Sequence, residues 1–286
     1  MKQLQYIWKA SLLKLLNGKT TAFACIMLAM CWDFNRPMNR YIDAVDYPVS
    51  WCVFPFLMAR NVFLFMFWLG IIYINSDVPF MQHVNMYHLI RTGRRRWAVG
   101  QMGGIFVRSF AAVLYTAACT VLPLLPRVEF TNEWGKLLHS AAVTDAATAY
   151  GFEYFVYYEI FSEYTPLQLM GICIALCTFI FGFLGMLMFL ASLYAGKAAA
   201  VALAFAVSVL LFFVENVHPE YQYKMALFVP AIWEQAAKSA TPRLGYYWMP
   251  PLPYMSAFLA VSTAVMAVLI LHKIKTAEFD WENEDI

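Results

Sequence analysis

Charge is what this sequence has least of. Asp, Glu, Lys and Arg make up 13% of its 286 residues against 62% hydrophobic ones, and the mean hydropathy is +0.59. A soluble domain of this length needs far more charge to cover its surface, so the composition excludes one and points to an integral membrane protein. Tracts of low complexity and internal repeats are also missing, which argues against a transporter made of two fused, related halves. Catalytic constellations are missing too. There is no His-Glu-x-x-His zinc motif, no Gly-x-Ser-x-Gly elbow and no pair of aspartates within an apolar run. The stretch nearest to a phosphate loop, Ala191 to Ala198, has Ala191 in place of the first glycine and Ala198 in place of Ser or Thr. Gly196-Lys197 reads more simply as a tight turn between two apolar stretches. No enzymatic activity is expected of this chain.

Cysteines are few and lie in or beside apolar runs. Cys173 and Cys177 share a helix face at a spacing that suits neither metal nor redox chemistry, so small apolar packing is the expectation. A Cys31–Cys52 bridge is compatible with the sequence without being required by it.

What is present is a set of long apolar stretches. Six spans are expected, at about 17–34, 51–74, 98–123, 167–193, 198–214 and 251–271, each matched to a hydrocarbon core of roughly 30 Å. The first is the weakest, because its clean apolar run covers only Thr20 to Trp32. Residues 1–16 precede it as an interfacial amphipathic helix, with Leu4, Ile7, Trp8, Leu12 and Leu15 on one face and lysines opposite. Met30 before Cys31 argues against a lipoprotein cleavage box, so this segment is expected to stay attached. With the N-terminus inside, eleven basic residues fall on the cytoplasmic side and seven in the outer loops. The basic bias therefore places both termini, including the tail at 272–286, in the cytoplasm. The fold class expected is an all-α integral membrane protein forming a single transmembrane domain over 1–286.

Between the second and third spans lies a cytoplasmic loop, 76–97, with helix signals. Asp77 caps a first turn that tolerates Pro79, and Phe80, Val84, Tyr87 and Ile90 form an apolar stripe. Gly93 supplies a stop, and Arg91, Arg94, Arg95 and Arg96 with Trp97 are expected to hold the base of span three at the headgroups. His83 and His88, five residues apart, do not share a face and read as solvated. Two arginines fall within spans. Arg60, beside Asn61, either snorkels to the outer headgroups or lines a path between two subunits. Arg108 anchors the inner interface if its helix projects from the membrane, and otherwise lines the path. Neither has an acidic partner evident at matching depth. Gly100 and Gly104 form a Gly-x-x-x-Gly pair suited to close helix approach. The run Tyr150 to Tyr164 reads as an aromatic belt on the outer leaflet or as an acidic exit vestibule. Ala226 to Ser239, with Trp233, Glu234 and Lys238 ahead of Pro250-Pro251, reads as a partly embedded re-entrant helix near Glu215.

Through Asp77-Val78-Pro79-Phe80 and Tyr87-His88-Leu89-Ile90-Arg91-Thr92-Gly93-Arg94-Arg95-Arg96-Trp97, the chain resembles permease subunits of bacterial ABC transporters of the ABC-2 type. The layout of interfacial helix, six spans and a substantial outer segment before the last span is similar as well. The resemblance implies an exporter subunit of the bacterial plasma membrane that dimerises with a second copy or a related permease. It implies coupling of separate cytoplasmic ATPase subunits through a helix at Phe80 to Arg91, with Asp77, Pro79, Val84, Tyr87 and His88 among its residues. ATP and Mg would sit on those partners, and no cofactor or metal on this chain. Arg60, Asn61, Arg108, Glu215, Trp233 and Glu234 become candidates for the pathway or its gate. Other partners are membrane lipids and the exported substrate, and no nucleic acid. Amphipathic peptides, as exported by the phenol-soluble modulin and bacteriocin members of the family, are the first cargo expected. Lipids or hydrophobic drugs come next, and a membrane enzyme or a non-transporting membrane protein remain as alternatives.

Overall fold

A computed structural model describes residues 17–76, 93–239 and 247–276. The fold is helical. In chain order it comprises α1 (Gly18–Val45), β1 (Val49–Ser50), α2 (Phe54–Met58), α3 (Asn61–Asn75), α4 (Arg94–Val121), β2 (Val128–Glu129), α5 (Gly135–Val143), α6 (Ala146–Ala149), α7 (Ile160–Glu163), α8 (Pro166–Asn216), α9 (Pro219–Ala226), α10 (Ala236–Ser239) and α11 (Leu252–Lys273). Among the described residues, three helices are long and apolar enough to cross a membrane: α4 with the short 3-10 turn that follows it, α8 and α11. The α3 helix is apolar but has only 15 residues.

A straight helix of 51 residues would run roughly 75 Å at 1.5 Å per residue. Instead both ends of α8 reach the same end of the bundle. The Pro166 carbonyl accepts from Cys52 Sγ at 3.2 Å, while Glu215 lines a cavity together with Arg60 and Asn61. The reversal falls at Gly196, whose φ of 83° and ψ of 178° leave the helical region at a cost that only glycine avoids. This is the turn expected from Gly196-Lys197. The other end, marked by Arg94, Tyr194 and Lys273, is called proximal here, and the end of Arg60 and Cys52 distal. There Arg94 Nη1 donates to the Lys275 carbonyl at 2.8 Å and Lys273 Nζ lies 5.0 Å from the Tyr194 ring centre.

Several expectations are corrected. The first span was set at about 17–34, yet α1 continues to Val45. Asn35, Met38, Tyr41 and Ile42 give those extra turns a buried stripe, and Asp46 ends them in the left-handed region. The second span is not one helix. It breaks between α2 and α3, where Arg60 is extended (φ −90°, ψ 119°). Span three begins at Arg94 rather than at 98. Trp97, expected at the headgroups, is fully buried in a second, smaller core with Phe189, Met266 and Ile270. All six cysteines are free, so there is no Cys31–Cys52 bridge, and Cys173 and Cys177 lie buried within the main core. The segment 150–164 does not simply rest on lipid. Tyr154, Val156 and Ile160 are buried against the bundle, while Phe155 and Tyr158 remain exposed.

The first arm of α8 packs on α4, α3 and α11 and forms the bundle's centre. Close approach to α4 is made at Gly185, where an added Cβ would collide with Ile105, itself fully buried. Gly185→Val should therefore destabilise the protein by about 1–3 kcal/mol through overpacking. Gly171, where an added Cβ meets nothing within 4 Å, provides the control. Melting in detergent should fall for the first variant and hold for Gly171→Val.

Candidate functional site

The break before α3 positions the site. With Arg60 extended, the first residues of α3 carry Arg60 and Asn61 into the distal end, facing the segment that folds back between α8 and α11. In that segment α9 leads into a short 3-10 turn, Pro230–Ile232, and then α10. Ala231, Ile232, Trp233, Glu234, Gln235 and Ala236 are all fully buried, so this stretch is covered by protein. Trp233 fixes the loop by donating from Nε1 to the Ala226 carbonyl at 2.6 Å, and its ring packs edge-on to Phe258 of α11 at 5.2 Å.

Three side-chain contacts then tie this segment to the bundle. Trp68 Nε1 of α3 donates to Glu234 Oε2 at 2.5 Å. Gln235 Nε2 donates to Asn61 Oδ1 at 2.6 Å. Lys238 Nζ pairs with Glu215 Oε1 of α8 at 2.6 Å, both side chains being largely buried. A fourth contact reaches in from the 150–164 segment. Arg60 Nη2 meets Glu153 Oε2 at 3.5 Å, across a pair that is 41% and 48% exposed. This corrects the expectation that Arg60 lacks an acidic partner, and at such exposure the pair is worth little to stability. Deeper in the same region, Tyr154 donates to Asn35 Oδ1 at 3.3 Å, and Asn35 donates to the carbonyls of Cys31 and Thr120. Burial pushes the Tyr154 hydroxyl above its usual pKa and keeps it a donor.

Between these groups lies a cavity of about 610 Å³. Arg60, Asn61 and Glu215 line it, with Lys238 and Gln222 beside them and a wall of Tyr154, Phe155, Tyr157 and Tyr158. Of the six gate candidates, Arg60, Asn61, Glu215, Trp233 and Glu234 thus converge at the distal end. Arg108 does not. It is buried in α4, with Nη2 3.3 Å from Asn75 Oδ1 at the far end of α3. The 14 residues from Arg94 to Arg108 place it about 21 Å along α4 from the proximal end, so α4 projects well past α3. Sequence reasoning missed Glu153, Gln235, Gln222 and Trp68. Gln235 adjoins Glu234 and could have been included, but nothing local marks Trp68 as the partner of a residue 166 positions away.

At the proximal end Arg94, Arg95 and Arg96 are exposed in the first turn of α4. Gly93 adopts φ 81° and starts that helix. Asp77, Pro79, Phe80, Val84, Tyr87, His88 and Arg91 of the expected coupling helix lie outside the described residues, as does the interfacial helix at 1–16. Comparison with family models, with curated proteins and with solved structures returns no match.

Proposed function

We propose that this chain is the membrane subunit of an ATP-driven exporter of the ABC-2 kind. In this reading α1, the α2–α3 pair, α4, the two arms of α8 and α11 make six crossings. The proximal end faces the cytoplasm and the distal end the exterior. Two such subunits, or one with a related permease, form the pathway, and separate ATPase subunits dock on residues 77–97. Amphipathic peptides remain the cargo favoured by the aromatic and acidic texture of 150–164.

The observation that carries the reading is the gathering of Arg60, Asn61 and Glu215 against a folded-back segment that itself carries Glu234 and Lys238, at one end of an apolar bundle. A buried ionisable side chain such as Glu234 is costly to keep in an apolar bundle, and such groups are commonly kept where a solute or ion passes. The opposite end carries an exposed arginine run suited to a partner outside the lipid. Purification in mild detergent from the native host provides the test. A nucleotide-binding subunit in stoichiometric amount is the expected result, and its absence, with no ATPase activity in the preparation, would remove the assignment.

A further inference from the structure

The distal cavity has features that gating does not use. The Gln222 side chain is only 5% exposed, faces this space, and makes no hydrogen bond among the described residues. Its amide lines the open cavity, where a ligand or water can use both its donor and its acceptor. Arg60 adds a second unused group, a buried Nε with no hydrogen-bond partner, and its Nη2 contact to Glu153 is long. The ionisable side chains lining the space balance: Arg60 and Lys238 against Glu159 and Glu215. Lys238 and Glu215 already neutralise each other at 2.6 Å, and Glu153 holds one nitrogen of Arg60 at 3.5 Å, which leaves the rest of that guanidinium and the Glu159 carboxylate for a ligand. Tyrosine rings and Trp248 complete the wall.

We infer that this cavity binds the zwitterionic phosphate–ammonium headgroup of an aminophospholipid. A guanidinium suits a phosphate oxygen, with two donors in a planar fork. An ammonium is held by a carboxylate and by aromatic faces. Gln222 can donate from Nε2 to a phosphate oxygen and accept at Oε1 from the ammonium. With Glu153 on Arg60 the surroundings carry no net positive charge, which disfavours an anionic lipid. The volume falls within the roughly 300–1,000 Å³ of small-molecule sites. This site is independent of the exporter reading and needs only that the distal end meets lipid.

The test uses the full chain, delipidated in maltoside detergent, with lipid binding followed by native mass spectrometry. Palmitoyl-oleoyl phosphatidylethanolamine should bind on the order of tenfold more tightly than the matching phosphatidylglycerol. Arg60→Gln and Gln222→Leu should each erase that preference. So should Glu159→Gln, an exposed change that leaves folding intact and guards against misfolding of the other two. Soluble glycerophosphoethanolamine should compete, which would locate recognition in the headgroup and not in the chains. Equal binding of the two lipids, or a preference that survives all three substitutions, overturns the inference. Failure of the soluble headgroup to compete does so as well, as does displacement of the lipid by an amphipathic peptide alone.

Discussion

Under the proposed function, Arg91→Glu and Tyr87→Ala should each abolish ATP-driven export while the ATPase subunits continue to hydrolyse ATP. This is the largest effect the proposed function predicts. The apolar stripe that the spacing of Phe80, Val84, Tyr87 and Ile90 leads one to expect would seat in a groove of a partner. Only a stiff element passes on the partner's movement as a rigid body. Tyrosine and arginine are the residue types that most often dominate such contacts. Loss of either should cost at least about 1.4 kcal/mol of docking, a factor of roughly ten in affinity, and reversal of the Arg91 charge more. Transport and ATP hydrolysis measured together in proteoliposomes check this. Unchanged ATPase binding with unchanged export in both variants would dismiss the coupling role.

Lys238→Met should unfold the distal end. The Lys238 and Glu215 side chains are only 24% and 20% exposed, so removing the lysine strands a carboxylate in a poorly solvated place. Breaking a buried pair from one side costs about 3–5 kcal/mol, and the residual exposure here lowers that to roughly 2–3 kcal/mol. Of the polar side-chain ties to α3 and α8, only Trp68–Glu234 and Asn61–Gln235 would then remain, beside the packing of Trp233 on Phe258. The paired variant Lys238→Met with Glu215→Met should recover most of the loss, because two apolar side chains leave no charge unpaired. Thermal melting of the single and double variants gives the comparison. A single variant as stable as the parent would show that the pair does not hold the segment.

Much of this arrangement could be read in the sequence, and the rest fails for identifiable reasons. The apolar runs behind α4, α8 and α11 and the turn at Gly196 follow from composition and from one glycine. That 226–239 folds back into the protein was partly legible, because an apolar run holding Trp233 and Glu234 precedes a cluster of prolines. The break at Arg60 was not, since neither proline nor glycine marks it and α2 and α3 read as one apolar run. Helix α1 was cut short because Asp33, Arg36 and Arg40 end the apolar stretch, while the stripe from Asn35 to Ile42 that sustains it packs on residues far along the chain. Trp97 followed the rule for interfacial tryptophans, which gives no sign that its side chain packs against Phe189, Met266 and Ile270. A tryptophan beside arginines is equally well used as a core residue where three helices continue past their neighbours. The pairings Trp68–Glu234 and Arg60–Glu153 are tertiary facts with no local signature.

The measurement that bears most directly on the account is the sidedness of the bundle. Arg95 at the proximal end and Lys136 at the distal end are both exposed, and Cys25 is the one exposed native cysteine. In a Cys25→Ser background, Arg95→Cys and Lys136→Cys would be treated in intact cells with a membrane-impermeant maleimide. The account predicts that Lys136→Cys is labelled at once and Arg95→Cys only after the membrane is permeabilised. Labelling of Arg95→Cys in intact cells, with Lys136→Cys protected, would contradict it.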